Sequence, residues 1–208
     1  LEYKNLELGG CYHQAPMSYP ALLSWCEKKA EQFAPYITDT GNYIAAALSN
    51  HQKVVLEAQL GAMRDIDYGI FPYTSSSSTI SAYGPIGAGI PGTLPDHIVG
   101  VLKAYSTCVG AGPFTAEKAM PEKWMESLRK SGGEYGAATG RPRRVGPFDA
   151  VASAYGLKCQ NADKIALTKL DVLSHMDEIP VITSYKLNDE IITEFDPLDD
   201  LDSMTPVI

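Results

Sequence analysis

Arg141, Arg143 and Arg144 stand within four positions, although the whole chain holds only five arginines. They close a loop, 132–144, that also carries four glycines, Gly132, Gly133, Gly136 and Gly140. Glycine lets backbone amides approach a ligand, and the planar guanidinium fork matches the oxygens of a carboxylate or phosphate. An anionic ligand suits this composition, and so does an exposed flexible loop ending in a solvated basic knot. Earlier, Asp65-Ile66-Asp67-Tyr68-Gly69 leads through Pro72-Tyr73 into six consecutive hydroxyl residues, Thr74 to Thr79. In open α/β sheets ligands sit at the carboxyl ends of strands, so a hydroxyl run after a strand can line a phosphate pocket. A Ser-rich connector is the other reading, and Phe71 and Tyr73 speak against it because linkers seldom carry aromatics.

Thr168-Lys169-Leu170-Asp171 closes another expected strand. It resembles the Lys-x-Asp element with which many GTPases hold guanine, where the carboxylate accepts two hydrogen bonds from the base and the Lys stem covers its ring. Alone, the tetrapeptide fits an ordinary strand-to-helix junction as well.

The elements that must hold these segments follow from spacing. Leu22, Trp25, Cys26, Ala30 and Phe33 give Pro20 to Phe33 an amphipathic helical pattern, with Pro35 ending it. Thr38 or Asp39 can cap a second helix running to about Asn50, with Ile44, Ala47 and Leu48 on one face. Short apolar runs at Lys53 to Leu56, Ala104 to Val109, Ile165 to Thr168 and Val181 to Tyr185 read as buried strands, and helices are expected near Pro95 to Lys103, Pro121 to Ser131 and Phe148 to Leu157. Strands alternating with helices imply an α/β fold with a mainly parallel sheet flanked by helices. Thr183 to Leu187, Asn188-Asp189 and Glu190 to Thr193 add an antiparallel hairpin near the C-terminus. The four aspartates of Asp196 to Asp202 suit a solvated surface segment. No repeat or linker divides residues 1–208, so a single domain is expected.

Composition narrows the function. The 45% hydrophobic content over 208 residues is that of an ordinary globular protein. No apolar run reaches about 18 residues and no signal-peptide layout opens the chain, so a cytoplasmic protein without a membrane partner is the expectation. The net charge of -8 argues against nucleic acid. Cys11, Cys26, Cys108 and Cys159 have neither CxxC nor framework spacing and read as reduced, mostly buried thiols; His13, His51, His97 and His175 stand at no metal-ligand spacing. The chain opens on Leu1 without an initiator Met and stops at Ile208 without a helix cap, and is expected to be cut from something longer.

In order, Leu56-Glu57-Ala58-Gln59-Leu60-Gly61 through Thr79, Leu102 to Phe114, Gly133 to Ala152 and Ala166 to Leu173 resemble adenylosuccinate synthetase, over about Phe33 to Pro206. The resemblance implies part of a P-loop-NTPase-like synthetase core. It implies ligation of aspartate to inosine monophosphate, with GTP first phosphorylating the purine 6-oxygen, Mg²⁺ assisting, and a homodimer. By position, Ser75, Val109 and Arg141 would bind the inosine nucleotide. Ala137, Thr139, Gly140 and Arg141 would bind aspartate, and Arg143, Lys169, Leu170 and Asp171 GTP. Gln59 and Arg141 would be catalytic.

The departures are specific. Leu60 stands where the family has the Gln that contacts the 6-oxygen, and Gln59 substitutes for it only through a backbone shift. Ser75 and Ala138 replace threonines, and Pro142 and Pro147 replace an Arg and a Trp. The family's Gly-Asp-Glu-Gly-Lys phosphate loop, its later His, the C-terminal part of the guanine pocket and an arginine contributed across the dimer have no counterpart here, so metal ligands are not expected in this chain and the 208 residues alone are expected not to turn over. Two other readings stay open: a phage-type synthetase adding aspartate to a guanine nucleotide, and a non-catalytic nucleotide-binding or structural fragment. Donors near 139–143 are expected to converge with the hydroxyl turn on one anion-sized pocket.

Overall fold

The structure, a computed structural model, describes residues 1–137 and 139–208; Ala138, and with it one of the departures above, lies outside the described residues. Contacts group the chain into two compact units, Leu1–Gln52 and Lys53–Ile208.

The first unit holds helices α1 (Glu2–Tyr12), α2 (Tyr19–Phe33) and α3 (Thr40–Ser49). Ser18 caps α2 by accepting from the Ala21 amide at 3.5 Å with Pro20 in the first turn, and Asp39 caps α3 by accepting from the Asn42 amide at 3.0 Å. Each cap satisfies an amide that has no partner inside the helix. The Asn5 side chain brackets Met17, donating to its carbonyl and accepting from its amide. None of the residues of these three helices is buried.

The second unit carries α4 (Tyr83–Gly87), β1 (Val99–Lys103), β2 (Ser106–Cys108), α5 (Glu122–Gly132), β3 (Arg144–Gly146), β4 (Phe148–Asp149) and α6 (Ala150–Gln160). It continues with β5 (Lys164–Thr168), β6 (Val181–Ile182), β7 (Ser184–Leu187), β8 (Glu190–Ile192) and β9 (Thr205–Val207). β1 pairs in parallel with β5 and β4 with β6, while β2 pairs antiparallel with β3 and β7 lies between β8 and β9. The α/β class with parallel pairing, flanking helices and a C-terminal hairpin therefore stands, distributed over four short sheets. Asn188 and Asp189 take φ 49° and 69°, the left-handed pair that a two-residue hairpin turn demands.

Several expected elements differ: the run Val181 to Tyr185 is split between β6 and β7, and α6 begins at Ala150 because Phe148–Asp149 forms β4. Lys53 to Leu56 is neither helix nor strand, and Val55 is 89% exposed; a strand needs a neighbour for its amides and carbonyls, and none of the described strands pairs with it. The helix expected over Pro95 to Lys103 is instead β1, because the β-branched Val99 and Val101 suit extended backbone and β5 offers a full ladder. Of the run Ala104 to Val109 only Ser106–Cys108 is strand, and Ala104 and Tyr105 are core residues of the turn before it. Cys11 and Cys26 are exposed, and Cys108 and Cys159 half-buried, so the thiols are less buried than their type suggests.

Two apolar clusters support the second unit. Tyr105, Leu128, Val145 and Leu173 join α5, β3 and the turn after β5, with full burial of a side chain such as Leu128 worth about 1.5–3 kcal/mol. Ile182, Tyr185, Leu201 and Met204 join β6 and β7 to the last turns of the chain.

Candidate functional site

The hydroxyl turn is organised by one buried carboxylate. Asp65 is fully buried and accepts from the amides of Asp67 at 2.9 Å, Tyr68 at 3.0 Å and Thr79 at 2.6 Å, and from the Thr79 hydroxyl at 3.4 Å. Burial pushes its pKa upward, but these donors outweigh burial and hold it below the ordinary value. A charged Asp65 thus closes both ends of the 65–79 loop. Inside it, the Ser75 amide donates to the Arg64 carbonyl at 2.8 Å, and the Ser75 and Ser77 hydroxyls lie 3.1 Å apart. This is a folded turn, which the connector reading does not predict.

The Val109 segment is clasped from two sides. The Arg64 guanidinium donates to the carbonyls of Tyr73 at 2.5 Å, Val109 at 3.1 Å and Ala111 at 3.2 Å, and to Cys108 Sγ at 3.0 Å. From the other side Arg144 donates to the Gly112 carbonyl at 2.7 Å, stacks over Phe114 and forms a two-pronged ion pair with Glu117. Gly112 takes φ 106°, and a Cβ there would lie 2.5 Å from the Tyr73 ring, so only glycine fits where this segment meets the hydroxyl turn. Val109 itself stays 69% exposed.

A third node surrounds Glu134, which is 2% exposed. It accepts from Lys103 Nζ at 2.8 Å, the Tyr105 hydroxyl at 2.7 Å and Arg143 at 3.2 Å. Burial raises its pKa, and the Lys103 and Tyr105 hydrogen bonds together with the two cations more than reverse that, holding it below the usual range. Beside it Lys169 Nζ donates to the Gly132 carbonyl at 3.2 Å, at the end of α5. Arg143, Lys169 and the exposed Leu170 and Asp171 are thereby gathered around one corner of the molecule.

Around Gly136 and Gly140 the described residues are held mainly by backbone bonds. Tyr135 and Pro142 are bridged, the Gly136 amide donates to the Arg141 carbonyl at 2.8 Å, and the Gly140 amide to the Gly136 carbonyl at 2.8 Å. Gly140 takes φ 65°, which turns the chain back. Ala137, Thr139, Gly140 and Arg141 are exposed. Gln59 is exposed as well, and next to it Leu60 takes φ 78°, a strained value for a residue with a side chain.

These placements divide the residues singled out from sequence. Ser75 and Val109 are brought together through Arg64; Arg143 and Lys169 meet around Glu134 and Gly132. Among the described residues no hydrogen bond joins Thr139, Gly140 or Arg141 to the hydroxyl turn. A hollow of about 410 Å³ is lined by Arg129, Arg143, Arg144, Glu117 and Glu122, and another of about 280 Å³ by Ser78, Leu56, Glu57, Ala58 and Tyr83; neither brings residues 139–143 and the hydroxyl turn together. Arg64 and Glu134 went unrecognised in the sequence because a lone arginine and a lone glutamate among glycines have no informative spacing. The scarcity of arginine was the one available signal for Arg64.

The family model of adenylosuccinate synthetase matches residues 1–208, further than the resemblance reached from sequence. The chain belongs to the adenylosuccinate synthetase family. Similar curated proteins include the adenylosuccinate synthetases of Parafrankia sp. (strain EAN1pec), 39% identical over 90% of this chain and 44% of that protein, and of Caldicellulosiruptor bescii, 42% identical over 93% and 45%. A solved structure of fully ligated adenylosuccinate synthetase from Plasmodium falciparum matches with a TM-score of 0.81 and 31% identity, covering 99% of this chain and 50% of that one. The chain spans about half the length of the curated relatives it matches.

Proposed function

We propose that the protein containing this chain ligates aspartate to inosine monophosphate at the expense of GTP, forming adenylosuccinate. Phosphorylating the purine 6-oxygen turns a poor leaving group into a good one, and the aspartate amine then displaces it; the protein's task is to position the partners and balance their negative charge. In this reading Ser75 and the Val109 segment hold the inosine nucleotide, and Ala137, Thr139, Gly140 and Arg141 hold aspartate. Arg143, Lys169, Leu170 and Asp171 hold GTP, with the Asp171 carboxylate taking the guanine edge. Gln59 serves the 6-oxygen and Arg141 balances charge near it. The observation that carries the reading is that Ser75 and Val109, far apart in sequence, are fastened to one arginine in a chain matched end to end by the family. The strained Leu60, at the position of the family's Gln, supports a rerouted backbone that brings Gln59 into use.

The family also implies Mg²⁺. Here the well-placed carboxylates are already engaged: Asp65 by its loop, Glu117 by Arg144 and Glu134 by Lys103, Tyr105 and Arg143. Among the described residues no three His, Cys, Asp or Glu side chains cluster as a metal would require. These residues do not fit the ion, and no step assigned to them runs through it. The same reading includes a homodimer and a cytoplasmic location; among the described residues no helix is long and apolar enough to cross a membrane.

The test is turnover by the full-length protein, followed as adenylosuccinate formed from inosine monophosphate, aspartate and GTP. No product, or product only with deoxyguanosine monophosphate in place of the inosine nucleotide, overturns the proposal. The 208-residue chain by itself is expected to give no turnover; calorimetry with GTP and inosine monophosphate then tells nucleotide binding from a purely structural role.

A further inference from the structure

We infer that Arg64 is a positioning residue that sets the spacing between the two halves of the mononucleotide site, and that it acts on the inosine nucleotide and not on GTP. The inference rests on the function proposed above. Its basis is that both ends of Arg64 are committed. The backbone carbonyl accepts from the Ser75 amide at 2.8 Å, fixing the start of the hydroxyl turn. The guanidinium bonds the Tyr73 carbonyl, two residues before Ser75, and bridges from there to the carbonyls of Val109 and Ala111 and to Cys108 Sγ. Arg64 thus ties the turn that carries Ser75 to the segment that carries Val109, through a planar fork that bonds at several points. With both terminal guanidinium nitrogens bonded to protein acceptors, Arg64 acts through Ser75 and Val109.

Among the described residues no hydrogen bond joins Arg64 to Arg143, Lys169, Leu170 or Asp171. Arg143 and Lys169 are held by Glu134 and by the Gly132 carbonyl. A change at Arg64 should therefore leave that corner in place, and the two substrates become internal controls for one another. Lysine at this position offers three donors from a single point and cannot span the carbonyls that the fork spans, so it should restore only part of the effect.

The experiment compares the full-length protein with its Arg64→Met and Arg64→Lys variants by steady-state kinetics and by hydrogen exchange. Arg64→Met should raise KM for inosine monophosphate about tenfold or more while KM for GTP stays within about twofold, with Arg64→Lys between the two. Exchange in segments 73–77 and 108–112 should speed up about tenfold in Arg64→Met, with residues 128–134 unchanged. Equal rises in both KM values, or unchanged exchange in the two segments, overturn the inference. Faster exchange with an unchanged inosine monophosphate KM overturns the positioning role. Should the unsubstituted protein fail to use inosine monophosphate, the proposed function falls and takes the substrate assignment with it, while exchange still decides whether Arg64 clasps the two segments.

Discussion

In the 61–79 loop side chains fasten the backbone at nearly every turn, whereas the 135–142 loop is closed chiefly by backbone bonds and leaves Arg141 exposed. Both carry residues assigned to anionic substrates. In the first, the buried Asp65 consumes three amides and the Arg64 guanidinium consumes the carbonyls of the facing segment, so the backbone is fixed before any ligand arrives. Among the described residues of the second, a glycine at φ 65° and backbone hydrogen bonds between Gly136, Gly140 and Arg141 hold the chain, and Arg141 is exposed. The contrast extends to the arginine knot itself: Arg144 is a structural clasp, Arg143 is half committed to Glu134, and Arg141 is exposed. Three arginines that look equivalent in sequence have three different jobs, and burial with pairing is what sorts them.

The sharpest test of that sorting is Glu134→Ala. Removing the carboxylate strands Lys103, Arg143 and the Tyr105 hydroxyl together, and should cost about 3 kcal/mol of unfolding free energy, measured by urea denaturation. A loss below about 1 kcal/mol, the usual value for an exposed pair, would mean that the node is only a surface arrangement. Asp65→Ala comes next: it leaves the amides of Asp67, Tyr68 and Thr79 without their acceptor and should cost about 2 kcal/mol, with a matching fall in thermal midpoint. By contrast Arg141→Ala should shift stability by no more than about 0.5 kcal/mol, because the side chain is exposed. In the full-length protein it should nonetheless raise KM for aspartate about tenfold or more, as expected for a lost hydrogen bond to a charged ligand. A stability loss as large as that of Asp65→Ala would erase the distinction between the two loops.

The smallest expected effect lies in pH dependence. Asp149 caps α6 by accepting from the Ala152 amide at 2.9 Å and also accepts from the Tyr185 hydroxyl at 2.7 Å, yet burial outweighs these bonds and pushes its pKa up. Its contribution is present at low pH and is lost as pH rises through the folded pKa. Asp65 and Glu134 have lowered values, so theirs is present above about pH 4 and is lost as pH falls through the folded pKa. Asp149→Asn keeps a capping oxygen, and its stability relative to the unsubstituted chain should climb as pH rises from about 4 to 7. Thermal melts across that range check the sign, and a difference that falls with pH would refute it.

Much of the fold could be read in advance where the signal is local. Pro20 and Phe33 bracket a helix because capping and periodicity are properties of neighbouring residues, and Asn188-Asp189 turns a hairpin because both tolerate positive φ. The stretch 95–103 differs from its helical expectation because Val99, Gly100 and Val101 are held extended by β5, some sixty residues later in the chain. Lys53 to Leu56 differs for the opposite reason, since an apolar run without a ladder has no means of satisfying its backbone as a strand.

The candidate site divides the same way. Residue order alone determined the family, the identity of Ser75, Val109, Arg141, Arg143, Lys169 and Asp171 as the residues to watch, and the departure at Leu60, because motifs are written in adjacent positions. Only the tertiary structure decided that Arg64 and Arg144 are clasps and that Glu134 is a buried hub. A guanidinium or a carboxylate has no fixed role until the fold settles how much water it keeps and which acceptors or donors lie within about 3 Å.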